Sequence, residues 1–133
     1  QIIQSIDHRG VNELKAMSFM TKKVISVGKV EKVSNIIKLM KKNNVSQIPV
    51  TDHGHVCGLI TENSLLEQII KYSGRINNLT AAEIMVEPPP LVPLSTGLRT
   101  LLGLLRDSPS VLVLEKGQLR GIISKSDLLG KTM

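Results

Sequence analysis

An internal repeat constrains this chain of 133 residues more than any other feature, because it fixes the unit from which the fold must be built. Val50-Thr51-Asp52-His53-Gly54-His55-Val56-Cys57-Gly58-Leu59-Ile60-Thr61 parallels Val113-Leu114-Glu115-Lys116-Gly117-Gln118-Leu119-Arg120-Gly121-Ile122-Ile123-Ser124. Each block reads as strand, acidic-x-Gly turn, strand, then Gly, two aliphatics and a hydroxyl. Gly121 follows Gly58 by 63 residues, whereas Met20 and Met85, Val27 and Val92, and Val33 and Leu98 stand 65 apart. The second copy is therefore two residues shorter between its first helix and its hairpin. Two half-length copies of one unit account for the pattern, and the chain has room for two small units sharing a core.

Each copy carries the same predicted elements. Ile25-Ser26-Val27 is a short extended segment. Val33, Ile36, Ile37 and Met40 then recur at helical spacing, with lysines on the other face and Asn43-Asn44 as the stop. Ile48-Pro49-Val50 opens a hairpin turning at His53-Gly54, and Cys57 to Ile60 returns. Asn63 or Ser64 is expected to cap a second helix bearing Leu65, Leu66, Ile69 and Ile70. In the second copy the counterparts are Leu91-Val92, the stripe Leu98, Leu101, Leu102 and Leu105, the strands Val111–Leu114 and Leu119–Ile123, and a last helix opened by Leu128-Leu129. Thr80 to Met85 is a short helix leading into that copy, and Pro88-Pro89-Pro90 is a stiff extended approach to Leu91-Val92. Val11, Leu14 and Lys15 suit a short helix outside either repeat. The expected division is an N-terminal extension 1–16, continuing from an upstream domain, a repeat 17–73, a linker 74–79 and a repeat 80–133.

Composition narrows the function classes. Phe19 and Tyr72 are the sole aromatics, so the core must be aliphatic and a base-stacking platform for single-stranded nucleic acid is disfavoured. The net charge is +6, much of it from Lys22, Lys23, Lys29, Lys32, Lys38, Lys41 and Lys42. A solvated helix face is preferred to a nucleic-acid patch for these lysines. The single cysteine, Cys57, sits in an apolar run and forms no internal disulfide, so a cytoplasmic home is expected. No stretch has the length of a membrane span, and no signal peptide is seen.

The β-α-β-β-α order, twice, with these signatures resembles the CBS domain family. Gly121-Ile122-Ile123-Ser124-Lys125-Ser126-Asp127-Leu128 matches the family pattern of Gly, two aliphatics, Ser/Thr, two variable residues, Asp and an aliphatic. Gly58-Leu59-Ile60-Thr61-Glu62-Asn63-Ser64-Leu65 is its first-copy equivalent, Ile48-Pro49-Val50 matches the family's hairpin approach, and Met20-Thr21 and Met85-Val86 match the segment before each first strand. The resemblance spans residues 17 to 130. It implies an α/β (α+β) fold of two β-α-β-β-α repeats packed sheet to sheet with pseudo-twofold symmetry. It also implies clefts for AMP, ADP, ATP or S-adenosylmethionine, and association into homodimers.

The chemistry of the motif supports that implication. A strand ending in Ser124, with a helix starting near Ser126 or Asp127, presents a hydroxyl and free backbone N–H groups to a phosphate. Asp127 can accept from both hydroxyls of a ribose, and Lys125 adds positive charge. Adenine is expected against Val111, Leu112, Val113 and Pro90, Leu91, Val92. The bland alternative is that Ser124 and Asp127 only cap a helix. In the first copy Ser64 replaces the carboxylate, so a weaker cleft is expected there, formed by Thr21, Ile25, Ile48, Pro49, Thr61, Asn63 and Ser64.

Other constellations carry less. His53 and His55 share a turn without enough further ligands for a zinc site, so no metal is expected. No nucleophile–base spacing or Gly-rich phosphate loop appears, so no catalytic residue is assigned and no cofactor is required. The reading is a non-catalytic regulatory module that binds an adenosine-containing ligand and signals to a partner domain or protein. The alternatives are the regulatory end of a helix-turn-helix DNA-binding regulator, and a dimerisation module with vestigial clefts.

Overall fold

The computed structural model describes residues 14–132. Its elements run α1 (Ala16–Phe19), β1 (Val27–Gly28), α2 (Val33–Asn43), β2 (Gln47–Asp52), β3 (His55–Thr61), α3 (Glu62–Lys71), α4 (Ala81–Ile84), β4 (Leu91–Pro93), α5 (Leu98–Asp107), β5 (Ser110–Glu115), β6 (Gln118–Ser124) and α6 (Lys125–Thr132). Two three-stranded sheets result, ordered β1-β2-β3 and β4-β5-β6, each with a parallel first pair and an antiparallel hairpin. Val11 and most of the expected N-terminal extension lie outside the described residues. Lys15 does not enter a helix but precedes α1 as its N-cap.

The two hairpins are built alike because their turns make the same demand. His53 and Gly54 have φ of 53° and 85°, and Lys116 and Gly117 have 52° and 80°. Two successive positive φ values define the tight two-residue turn whose twist matches that of paired strands. Each hairpin also carries a bulge at the same place, between Val50 and Thr51 and between Val113 and Leu114. The extra residue on the return strand is Cys57 in one and Arg120 in the other.

The chain divides into two compact units that cut across the sequence repeats. One is residues 25–88; the other joins the segment ahead of it, described from residue 14 to 24, to 89–132. In the 25–88 unit, Val33, Ile36 and Met40 of α2 bury against Ile48, Val50, Ile60, Ala81 and Ile84. Asn44 ends α2 in the left-handed region, as the Asn43-Asn44 stop predicts. In the other unit, Ala16 and Phe19 of α1 join Leu98, Leu101, Leu105, Val111, Val113, Ile123 and Leu128. Phe19 is 2% exposed, a burial worth about 1.5–3 kcal/mol to that unit.

Backbone pairing holds each lead-in segment in place. Thr21 exchanges two hydrogen bonds with Ile122 (2.8 and 3.1 Å), and Val86 does the same with Leu59 (2.8 and 3.0 Å). Beneath these pairs a glycine gives the space: a Cβ on Gly121 would stand 2.5 Å from Met20 Sδ, and one on Gly58 equally close to Met85 Sδ.

Two helix expectations need correction. Thr61, rather than Asn63 or Ser64, is the N-cap of α3, because its hydroxyl already sits at the end of β3 and accepts the Ser64 N–H. Of the stripe Leu65, Leu66, Ile69 and Ile70, Leu65 alone is buried; Leu66 and Ile70 are exposed and Ile69 is on the margin. Likewise Leu102 of α5 and Leu129 of α6 face outward.

Candidate functional site

Strand β6 ends at Ser124, paired with Ser110 at the start of β5, and α6 begins at the next residue. That junction places Asp127 in the first turn of α6, where its carboxylate turns back on the strand end. Asp127 Oδ2 accepts from the Ser124 N–H (2.8 Å) and the Ser124 hydroxyl (3.1 Å). Its Oδ1 accepts from the Thr21 hydroxyl at 3.2 Å, a residue 106 positions away. Ser124 Oγ also lies 2.9 Å from Ser126 Oγ. Ser124, Ser126, Asp127 and Thr21 thus form one polar cluster at a helix N-terminus, with exposed Lys125 beside it.

The cluster is a cap that is able to do more. A carboxylate offers about four lone-pair sites, and three protein donors meet this one. Two of those donors are hydroxyls, which rotate to other acceptors, as Ser124 can toward Ser126. Incoming hydroxyls can therefore take their places without leaving a buried donor unpaired.

The first-copy equivalent is closed. Ser64 Oγ accepts the Thr61 N–H (3.0 Å) and donates to the Thr61 carbonyl (3.0 Å), while Thr61 Oγ1 accepts the Ser64 N–H (2.9 Å). Ser64 is 4% exposed, so this reciprocal box spends the Ser64 hydroxyl internally and engages that of Thr61 as an acceptor. Asn63 is exposed, Ile48 and Pro49 are buried in β2, and Ile25 packs against its own unit's core. Thr21, expected among these residues, stands instead with Asp127, because the segment that carries it pairs with β6.

The expected apolar wall is also narrower than its sequence. Val92, Val111 and Val113 are core residues of their unit, and Leu112 is fully buried between its partners Leu91 and Ile122. Pro90, whose carbonyl accepts the Leu112 N–H (2.9 Å), and Leu91 keep exposed side-chain surface. The role of Thr21 escaped sequence reasoning, although a signal existed. Thr21 in one lead-in becomes Val86 in the other, just as Asp127 becomes Ser64, so hydroxyl goes with acid and apolar residue with buried cap.

Elsewhere, His53 Nδ1 lies 3.0 Å and Lys29 Nζ 3.2 Å from the Asp52 carboxylate. The Lys29 hydrogen bond and charge hold the Asp52 carboxyl below its ordinary value. Among the described residues no three His, Cys, Asp or Glu side chains gather as metal ligands, and no helix is long and apolar enough to cross a membrane. Cys57, in the bulge, is a partly buried free thiol whose Sγ lies 3.4 Å from the Val50 carbonyl oxygen.

These two sheets, each with a Gly-aliphatic-aliphatic-hydroxyl strand running into a helix, define a tandem-repeat α/β module. The CBS domain family model matches residues 14–71 and 81–132, and the chain belongs to that family. Members are generally regulatory, ligand-binding modules rather than catalysts. Among solved structures, a CBS domain-containing protein of unknown function from Bacillus anthracis is similar at 21% identity and TM-score 0.84, with 93% of this chain and 96% of that one covered. The CBS domain of a membrane protein from Sphaerobacter thermophilus is similar at 21% identity and TM-score 0.82, covering 98% of this chain and 94% of that one. An uncharacterised protein of Methanocaldococcus jannaschii is 34% identical over 65 residues, 48% of this chain and 39% of the relative. A second from the same organism is 32% identical over 53 residues, 40% of this chain and 20% of the relative. The chain therefore spans well under half the length of these curated relatives.

Proposed function

We propose that this chain is a cytoplasmic, non-catalytic regulatory module that binds an adenosine-containing ligand at the Ser124–Asp127 junction and passes its occupancy to a partner domain or protein. The observation that carries this reading is the Asp127 carboxylate, held at a helix N-terminus among three rotatable hydroxyls. A ribose diol replaces the Thr21 and Ser124 hydroxyls as donors to Asp127, a phosphate takes the α6 N–H groups with Lys125 near, and adenine lies on Pro90 and Leu91. AMP, ADP, ATP and S-adenosylmethionine all share the diol and the base. The site containing Ser64 is weaker or empty in this reading, since Ser64 offers no carboxylate at the position of Asp127. The module acts as a homodimer, with the outward Leu66, Ile69 and Ile70 of α3 as apolar surface for a second copy. Regulation follows from any difference in ligand affinity between two states of the module.

Calorimetric titration with AMP, ATP and S-adenosylmethionine, repeated on Asp127→Ala, tests the site. Hydrogen bonds to a charged group are worth roughly 1.5–3 kcal/mol each. The substitution is therefore expected to weaken binding about tenfold or more. Absence of heat with all three ligands, or binding that Asp127→Ala leaves intact, would refute the assignment.

A further inference from the structure

At the other end of β6 from Ser124, the unit formed by 14–24 and 89–132 has a concavity of about 460 Å³. Its apolar lining is Met17, Met20, Leu94 and Leu119, and its rim carries Lys22, Arg120 and Glu115. The volume falls in the range of small-molecule sites, which combine apolar walls with a few placed charges. Met17 is 55% exposed, an unbranched thioether that can adapt to what it covers. Arg120 Nε is bound to Glu115 at 3.1 Å, and among the described residues no carboxylate is paired with Lys22. One cation with no ion pair among the described residues thus faces an apolar hollow.

The repeat supplies an internal comparison. The Met17 N–H bonds the Leu94 carbonyl at 3.1 Å, and the Ala82 N–H bonds the Lys29 carbonyl at 3.0 Å, so the two lead-ins are placed alike. At the equivalent place in the 25–88 unit, Met17 becomes Ala82, Leu94 becomes Lys29 and Lys22 becomes Glu87. There Lys29 reaches the Asp52 carboxylate at 3.2 Å, where the second copy has Leu94 beside Glu115. One copy has a cation bound to an acid at this position; the other has apolar side chains and a cation with no ion pair among the described residues.

We propose that this hollow is a binding site for a small amphiphilic anion, its apolar body on Met17, Met20, Leu94 and Leu119 and its carboxylate, sulfonate or phosphate on Lys22. Met20 and Lys22 adjoin Thr21 of the Asp127 cluster, but no lining residue belongs to that cluster, and the proposal does not depend on the adenosine reading. The test uses the full chain with methionine methyls labelled for NMR, titrated with 8-anilinonaphthalene-1-sulfonate as an aromatic anion and with octanoate as competitor. Saturable binding that shifts the Met17 and Met20 methyls, leaves Met40 in place and yields to octanoate is the expected result. Lys22→Glu and Leu94→Lys, which import the other copy's residues, should each weaken it about tenfold or more. Asp127→Ala should leave it unchanged. The proposal fails if the probe shifts Met40 rather than Met17 and Met20, if binding does not saturate, or if the exposed-site Lys22→Glu retains full affinity.

Discussion

Ser64 and Asp127 hold the same place in two copies of one motif and show how a single side chain decides between a cap and a site. The serine is short enough to be enclosed, and its hydroxyl both donates and accepts within the turn. The aspartate accepts only, so it must recruit donors, and it finds one of them in Thr21. Ser64→Ala removes the reciprocal half of the capping box of Thr61 and is expected to destabilise the protein by about 0.5–2 kcal/mol, read from the urea midpoint at unchanged slope. Ser64→Asp should cost more, because it places a charge where little solvent reaches. The loss of a carboxylate from the first copy was legible in the sequence. That its replacement is a sealed reciprocal box was not, since the sequence reads Thr61 as a ligand group and puts the cap at Asn63 or Ser64.

At the scale of elements, the strand–glycine–lead-in arrangement repeats, and its tolerance is small. Gly121→Ala sets a methyl 2.8 Å from Met20 Cβ as well as against the movable sulfur, so the lead-in itself must shift. Overpacking of this kind costs roughly 1–3 kcal/mol. Chemical denaturation should show that loss, and NMR of the Thr21 and Ile122 amides should show the paired hydrogen bonds weakening. Local patterns made the hairpins and α2 readable, because turn chemistry and a 3.6-residue period act over a few neighbours. The same period misled for α3. It marks Leu66, Ile69 and Ile70 as one apolar face, but a period carries no information on whether anything covers that face.

For the molecule, the repeat seen in sequence and the unit seen in space differ by their lead-in segments. No local signal reports this, because the partner strand of residues 20–21 lies about a hundred positions on. A chain beginning at Ile25 would lack Ala16 and Phe19 from the core that contains Leu101, Val111 and Ile123. Hydrogen exchange on such a chain should show β4, β5 and β6 losing protection while β1, β2 and β3, far nearer the cut, keep theirs; uniform loss would contradict this division. The same connectivity sets an order of birth. The 25–88 unit has all its residues once Pro88 is made. Phe19 and Thr21 are translated before that unit, yet the strands and helix that receive them follow it. At roughly 5–20 residues per second, they wait about five to twenty seconds for their partners. The cluster around Asp127 thus comes into being only after the whole 25–88 unit has been made, when a segment that precedes that unit meets one that follows it.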